Sequence, residues 1–185
     1  MERVFSKKGF TLIELSIVLV IIGLLIGAVI KGGSLIADAK MKRLKNDVDG
    51  WIAAVHSYSG KYNAIPGDDP QASTRFAGAA NGNGDGLITE TTTAWDHLRG
   101  AGIIAGQRGV GQSFYPKTSY GGYAYYVYRI RTGWSGNVVE ISISGDVAQD
   151  FDTRYDDGVA NTGDIQRSDG NAAWGTTMIF MDVRI

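Results

Sequence analysis

The chain has 185 residues, a formal charge of −1 and no cysteine. Charges of both signs are interspersed, which excludes a global basic field for nucleic acid, and the missing thiols exclude disulfide staples and cysteine chemistry. With 26 glycines, the exported part of the chain is expected to be rich in tight turns. Its loops must be held by packing, turn hydrogen bonds or metal ions.

Residues 1–9 form a leader that carries Arg3, Lys7 and Lys8 against Glu2 and ends in Gly9. Across residues 10–30 the only charge is Glu14, and there is no proline. At about 1.5 Å per residue this run predicts roughly 31 Å of unbroken helix, which matches a bilayer core of roughly 30 Å. The basic leader places its own end in the cytoplasm and everything after Lys31 outside it. A cleavable secretory signal carries its small-residue site after the apolar segment, whereas here Gly9 precedes it. An ordinary anchor gains nothing from Glu14, because a carboxylate at membrane depth costs roughly 3 kcal/mol. A charge retained there asks for a partner.

The stretch Lys7-Lys8-Gly9-Phe10-Thr11-Leu12-Ile13-Glu14 resembles the prepilin-type cleavage and methylation site of type IV pilins and type II secretion pseudopilins. The resemblance implies that a prepilin peptidase cuts between Gly9 and Phe10 and methylates the new amine of Phe10. It also implies that Glu14 meets the N-terminal amine of a neighbouring copy when the helix leaves the inner membrane for a homopolymeric fibre. An assembly platform protein and a motor ATPase are the further partners implied. The physical logic agrees, since a buried carboxylate and a buried ammonium neutralise each other while either alone is expensive.

The long helix is expected to continue to Tyr62, changing character after Lys31-Gly32-Gly33. Leu44, Val48, Trp51, Ile52, Val55 and Tyr62 recur at helical spacing with charged residues between them, so this half can carry a domain on one face. The expected divisions are a leader at 1–9, an assembly half of the helix at 10–31, an amphipathic half at 32–62 and a head at 63–185. Gly23 and Gly27 form a Gly-x-x-x-Gly, read either as a close-packing face or as a place where the helix unwinds. Lys40, Lys42, Arg43 and Lys45 lie near the membrane end and read as a solvated or lipid-facing run, which argues against nucleic acid. Asn63-Ala64-Ile65-Pro66-Gly67-Asp68-Asp69-Pro70 stops the helix, with Asp68 and Asp69 expected in solvent.

Residues 81–88, Asn-Gly-Asn-Gly-Asp-Gly-Leu-Ile, follow the first part of an EF-hand loop, with Asn81, Asn83, Asp85, the Leu87 carbonyl and Glu90 as candidate calcium ligands. Thr92 stands where that motif has its bidentate glutamate, and a turn held by side-chain to backbone hydrogen bonds is the rival reading. A short helix is expected over residues 93–104, with Trp95 and Leu98 inward. His56 and His97 lack the partners of a catalytic or zinc site and read as surface or packing residues. Residues 123–131 and 137–144 should pair as a hairpin, turning at Trp134-Ser135-Gly136-Asn137. Its tyrosines read as cross-strand pairs over the long helix, or alternatively as a carbohydrate-binding face. A helix over residues 146–155 should carry Val147, Phe151 and Tyr155 on one side.

A second oxygen-rich loop follows, with Asp156, Asp157, Asn161 and Asp164 among glycines. The resemblance implies calcium in such a loop, because major pseudopilins of type II secretion carry a calcium site in an acidic, glycine-rich C-terminal loop; Asx-turns are the alternative. Residues 174–185 should close the sheet, with Met178, Phe180 and Asp182 on one face. No nucleophile elbow, Walker loop or paired-histidine motif occurs, which points away from an enzyme. The expectation is an α+β protein: a long N-terminal helix on a small antiparallel sheet with short helices and long loops. Its expected role is a structural subunit of a type IV pilus or type II secretion pseudopilus. The alternatives are a minor pilin or a membrane-anchored, calcium-dependent adhesion module.

Overall fold

The computed structural model describes residues 9–89, 91–131 and 134–185. The chain divides into two compact units, Met1–Lys40 and Met41–Ile185, and one helix, α1 (Leu12–Tyr62), contributes to both. Leader residues 1–8 and Glu90 lie outside the described residues.

In the first unit the aliphatic side chains of the helix are exposed, from 46% at Ile22 to 88% at Leu12. Gly23, Gly27, Gly32 and Gly33 do not interrupt α1, and nothing lies within 4 Å of the side chain each lacks. Among the described residues α1 is the one helix long and apolar enough to cross a membrane.

In the second unit the same helix turns amphipathic and becomes a wall of the core. Met41, Leu44, Val48, Ala54, Val55 and Tyr58 are buried, with Trp51, Ile52 and Tyr62 half-buried beside them. Each large member of such a stripe contributes about 1.5–3 kcal/mol by leaving water. Trp51 packs edge-on to Trp95 at 5.8 Å, and the Tyr126 hydroxyl donates to the Trp51 carbonyl at 2.7 Å. The helix stops where Asn63 takes φ +50 ahead of Pro66.

The sheet has four antiparallel strands: β1 (Ala124–Arg131), β2 (Trp134–Ser144), β3 (Ile165–Arg167) and β4 (Met178–Arg184), in the order β1-β2-β4-β3. Alternation sends Ala124, Tyr126, Val139, Ile141, Ile143, Ile179, Met181 and Val183 into the core. The expected α+β architecture is therefore present. The expected turn is displaced: Arg131 pairs with Trp134 and Tyr128 with Asn137, so residues 134–137 belong to β2. Glycine in Trp-Ser-Gly-Asn does not interrupt the strand, because Gly136 faces Arg129 in register. On β4, Met178 and Phe180 are exposed as expected for one face, while Asp182 on that face is buried.

Among the described residues, the short α-helices α2 (Ala72–Arg75), α3 (Ala94–Gly100) and α4 (Gly145–Tyr155) and a 3-10 turn at Gln112–Phe114 complete the head. Trp95 and Leu98 of α3 are fully buried. Along α4, Phe151 is buried and packs its ring 4.9 Å from Tyr155, over which the Lys45 ammonium sits at 5.6 Å. The two strands β1 and β2 were legible from alternation, but α2 and the three-residue β3 were not, being too short to show a period.

Candidate functional site

At the N-terminal end, Gly9 and Phe10 precede the helix in irregular backbone, with Phe10 83% exposed. The peptide bond between them is therefore not locked in a helical hydrogen bond. Thr11 caps α1, and Glu14 completes a reciprocal capping box. The Thr11 amide and hydroxyl both donate to Glu14 Oε2 at 2.8 Å, and the Glu14 amide donates to Thr11 Oγ1 at 3.2 Å. The carboxylate so placed faces the positive end of the helix dipole. Its second oxygen, Oε1, accepts no hydrogen bond among the described residues.

A model of the prokaryotic N-terminal methylation motif matches residues 5–30. The chain carries a prepilin-type N-terminus. No curated protein and no solved structure matches the chain. The match covers the processing motif and the first part of α1, and α1 is long and apolar enough to span a membrane.

Behind this prepilin-type end, the head brings the two glycine-rich loops into very different arrangements. In residues 81–87 the side-chain oxygens are occupied locally. Asn81 Oδ1 accepts from the Ser73 amide, Asn83 Oδ1 from the Asp85 amide, and Asp85 Oδ1 from the Leu87 amide, at 2.8–2.9 Å. The Leu87 carbonyl accepts from Thr89 at 3.0 Å, and Glu90 lies outside the described residues. What converges is the backbone: the amides of Gly84, Asp85 and Gly86 all donate to the carboxylate of Asp68, at 2.6, 3.1 and 2.7 Å. The loop is a nest for an anion that the chain itself supplies. Gly82 lets it close, since a side chain there would stand 2.3 Å from the Asp68 backbone.

The expectation that Asp68 and Asp69 lie in solvent is thereby corrected. Asp68 is 3% exposed and Asp69 is fully buried. Asp69 accepts from the Tyr58 hydroxyl at 2.6 Å, from the Gln71 amide at 2.9 Å and from the Arg75 guanidinium. Burial alone would raise its pKa; the Tyr58, Gln71 and Arg75 donors outweigh that and hold the carboxyl below the ordinary range. Two acids after a helix stop read as a solvated turn only if partners distant in sequence are ignored.

In residues 156–165 the carboxylates themselves converge. Asp152 on α4, Asp156 and Asp157 bring oxygens within 4.8 Å of one another. Asp152 is fully buried; its Oδ2 accepts from Trp174 Nε1 at 3.0 Å, and its Oδ1 has no hydrogen-bond partner among the described residues. Burial raises the pKa of Asp152, with the charges of Asp157 and Asp156 acting in the same direction against the Trp174 indole and the nearby Gly158 amide, which lies outside hydrogen-bond geometry to Oδ1. Asp157 instead lies below its ordinary value, because the Thr162 hydroxyl and the Val159 amide donate to it. Asp156 Oδ2 accepts from the Ile165 amide at 2.8 Å. Gly163 sits at φ +71, and a side chain there would fall 2.1 Å from Asp156 Oδ2. Of the sequence candidates, Asp164 faces away to pair with Arg184 at 3.3 Å, and Asn161 is half-buried in the loop. Sequence reading missed Asp152, whose signal was its place one helical turn before Asp156.

Of the two histidines, His56 is exposed on α1 and His97 is fully buried. Both expectations of a surface or packing role hold.

Proposed function

We propose that this protein is a structural subunit of a type IV pilus or a type II secretion pseudopilus. It is held in the inner membrane by α1 with the head outside the cytoplasm, and it polymerises after prepilin peptidase cleaves Gly9 from Phe10 and methylates the new amine. It acts as a polymer subunit and not as an enzyme, with the platform protein and motor ATPase of such systems as its assembly partners. The observation that carries this reading is the capping box at Glu14 on an otherwise apolar helix. Thr11 satisfies one carboxylate oxygen within the chain, and Oε1 is left to accept the charged amine of a neighbouring copy. In low dielectric that pairing removes two costs at once.

The experiment has two parts. The mass of the N-terminal peptide from cells should start at methylated Phe10. Filaments should be lost in Glu14→Ala; filaments of ordinary abundance and length in that variant would sink the subunit reading. If labelled chain is found only at filament tips, the minor-pilin alternative replaces the major one.

Calcium in the head rests on Asp152, Asp156 and Asp157. Three carboxylates supply the hard oxygen donors that calcium prefers, and the buried, unbonded Oδ1 of Asp152 fits a cation better than it fits a dry interior. A bound cation would neutralise the cluster and tie α4 to the loop of residues 156–165.

A further inference from the structure

We infer that His97 is an acid-releasable clip that ties the turn after α1 to the start of the residue 81–87 loop. The imidazole is fully buried between the two segments. Its Nδ1 accepts from the Gly67 amide at 3.0 Å, and its Nε2 lies 2.8 Å from the Ala80 carbonyl, which can only accept. Both contacts are satisfied by one species, the neutral ring with its proton on Nε2. A second proton on Nδ1 would point at the Gly67 N–H, turning an acceptor into a donor against a donor. Gly67 is the residue before Asp68, and Ala80 is the residue before Asn81, so this clip closes both sides of the nest described above.

The charges around the ring do not rescue the cation. Tyr58 of α1 stacks on it at 6.3 Å with an interplanar angle of 20°. Asp69, in the turn after α1, is held by Tyr58 and Arg75, and Asp96 of α3 is held by Arg108 at 2.7 Å and by the Gly109 amide at 2.9 Å. Burial lowers the pKa of His97 from its ordinary 6.5; Ala80, Asp69 and Asp96 oppose that, Arg108 adds to it, and the net direction is down. A depressed folded-state pKa makes the clip complete above 6.5. As pH falls from 6.5 towards the lower folded value, protons favour the state in which the ring has left its pocket, by up to about tenfold per pH unit. The hydrogen bonds of the His97 ring go to Gly67 and Ala80, and the far end of the segment is anchored separately, with the Ile88 amide and the Gly86 carbonyl held by Asn137 of β2.

The test is hydrogen exchange of the full chain in detergent micelles, corrected for intrinsic rates, from pH 8 to pH 5. The expected result is a loss of protection of about tenfold or more across residues 65–88 below pH 6.5, with β2 unchanged. His97→Gln, which can still accept and donate but does not titrate, should abolish the pH dependence. Protection that does not change with pH, or the same loss in the folded Gln variant, overturns the inference. Should that variant fail to fold, the nitrogen-15 spectrum of the wild-type His97 imidazole decides the matter: titration below the ordinary 6.5 from the Nε2–H tautomer supports the clip, and titration at or above 6.5 overturns it.

Discussion

The two glycine-rich loops of the head look alike in sequence and have opposite polarity in space. Residues 81–87 turn three backbone amides inward onto Asp68. Residues 156–165 turn carboxylates inward, where Asp156 and Asp157 meet Asp152. Both stretches are runs of Asn, Asp and Gly, so composition assigns them the same chemistry. What separates them is a carboxylate brought in from elsewhere: Asp68 from the turn after α1 fills the first loop as its anion, and Asp152 from α4 adds a third negative charge to the second. An oxygen-rich loop is thus a cation site only when its oxygens, and not its amides, face the centre.

The largest expected effect breaks the first loop. Asp68→Ala leaves three inward amides without their acceptor and should destabilise the head by about 3 kcal/mol or more, read from chemical denaturation; a loss within 0.5 kcal/mol would refute the nest, as roughly that much attends a neutral surface change. Next comes a contrast between the loops under calcium. At a hundredfold excess over its dissociation constant, calcium should stabilise the wild type by about 2.7 kcal/mol. That gain should vanish in Asp156→Ala and persist in Asp85→Ala; the reverse pattern would move the ion to the first loop. The smallest effect sharpens the geometry of the second: Gly163→Ala combines φ +71 with a close approach to Asp156 and should cost about 1–2 kcal/mol. A thermal unfolding midpoint unchanged by that substitution would show that the loop does not need the glycine.

The halves of α1 offer a parallel lesson about legibility. Residues 12–30 were readable in full, because a helix whose hydrogen bonds are all local and whose faces are almost all apolar depends on nothing else in the chain. The buried stripe of residues 41–62 was readable from its period, although Met41, Ala54 and Tyr58 joined it only in the structure. In the head, alternation revealed β1 and β2. The hairpin turn was misplaced, since glycine at 136 lies opposite Arg129 and disturbs no pairing.

The linear order of residues determined the processing end, the spanning helix and the α+β class, because each rests on neighbours within one or two helical turns or on a period of two. Thr11 and Glu14 are three residues apart, so even their capping box was written locally. Only tertiary structure decided that Asp68 and Asp69 are buried, that Asp152 joins Asp156 and Asp157, and that His97 bridges Gly67 and Ala80. Those contacts join segments up to 30 residues apart, and their partners are selected by how the core packs and not by any spacing along the chain.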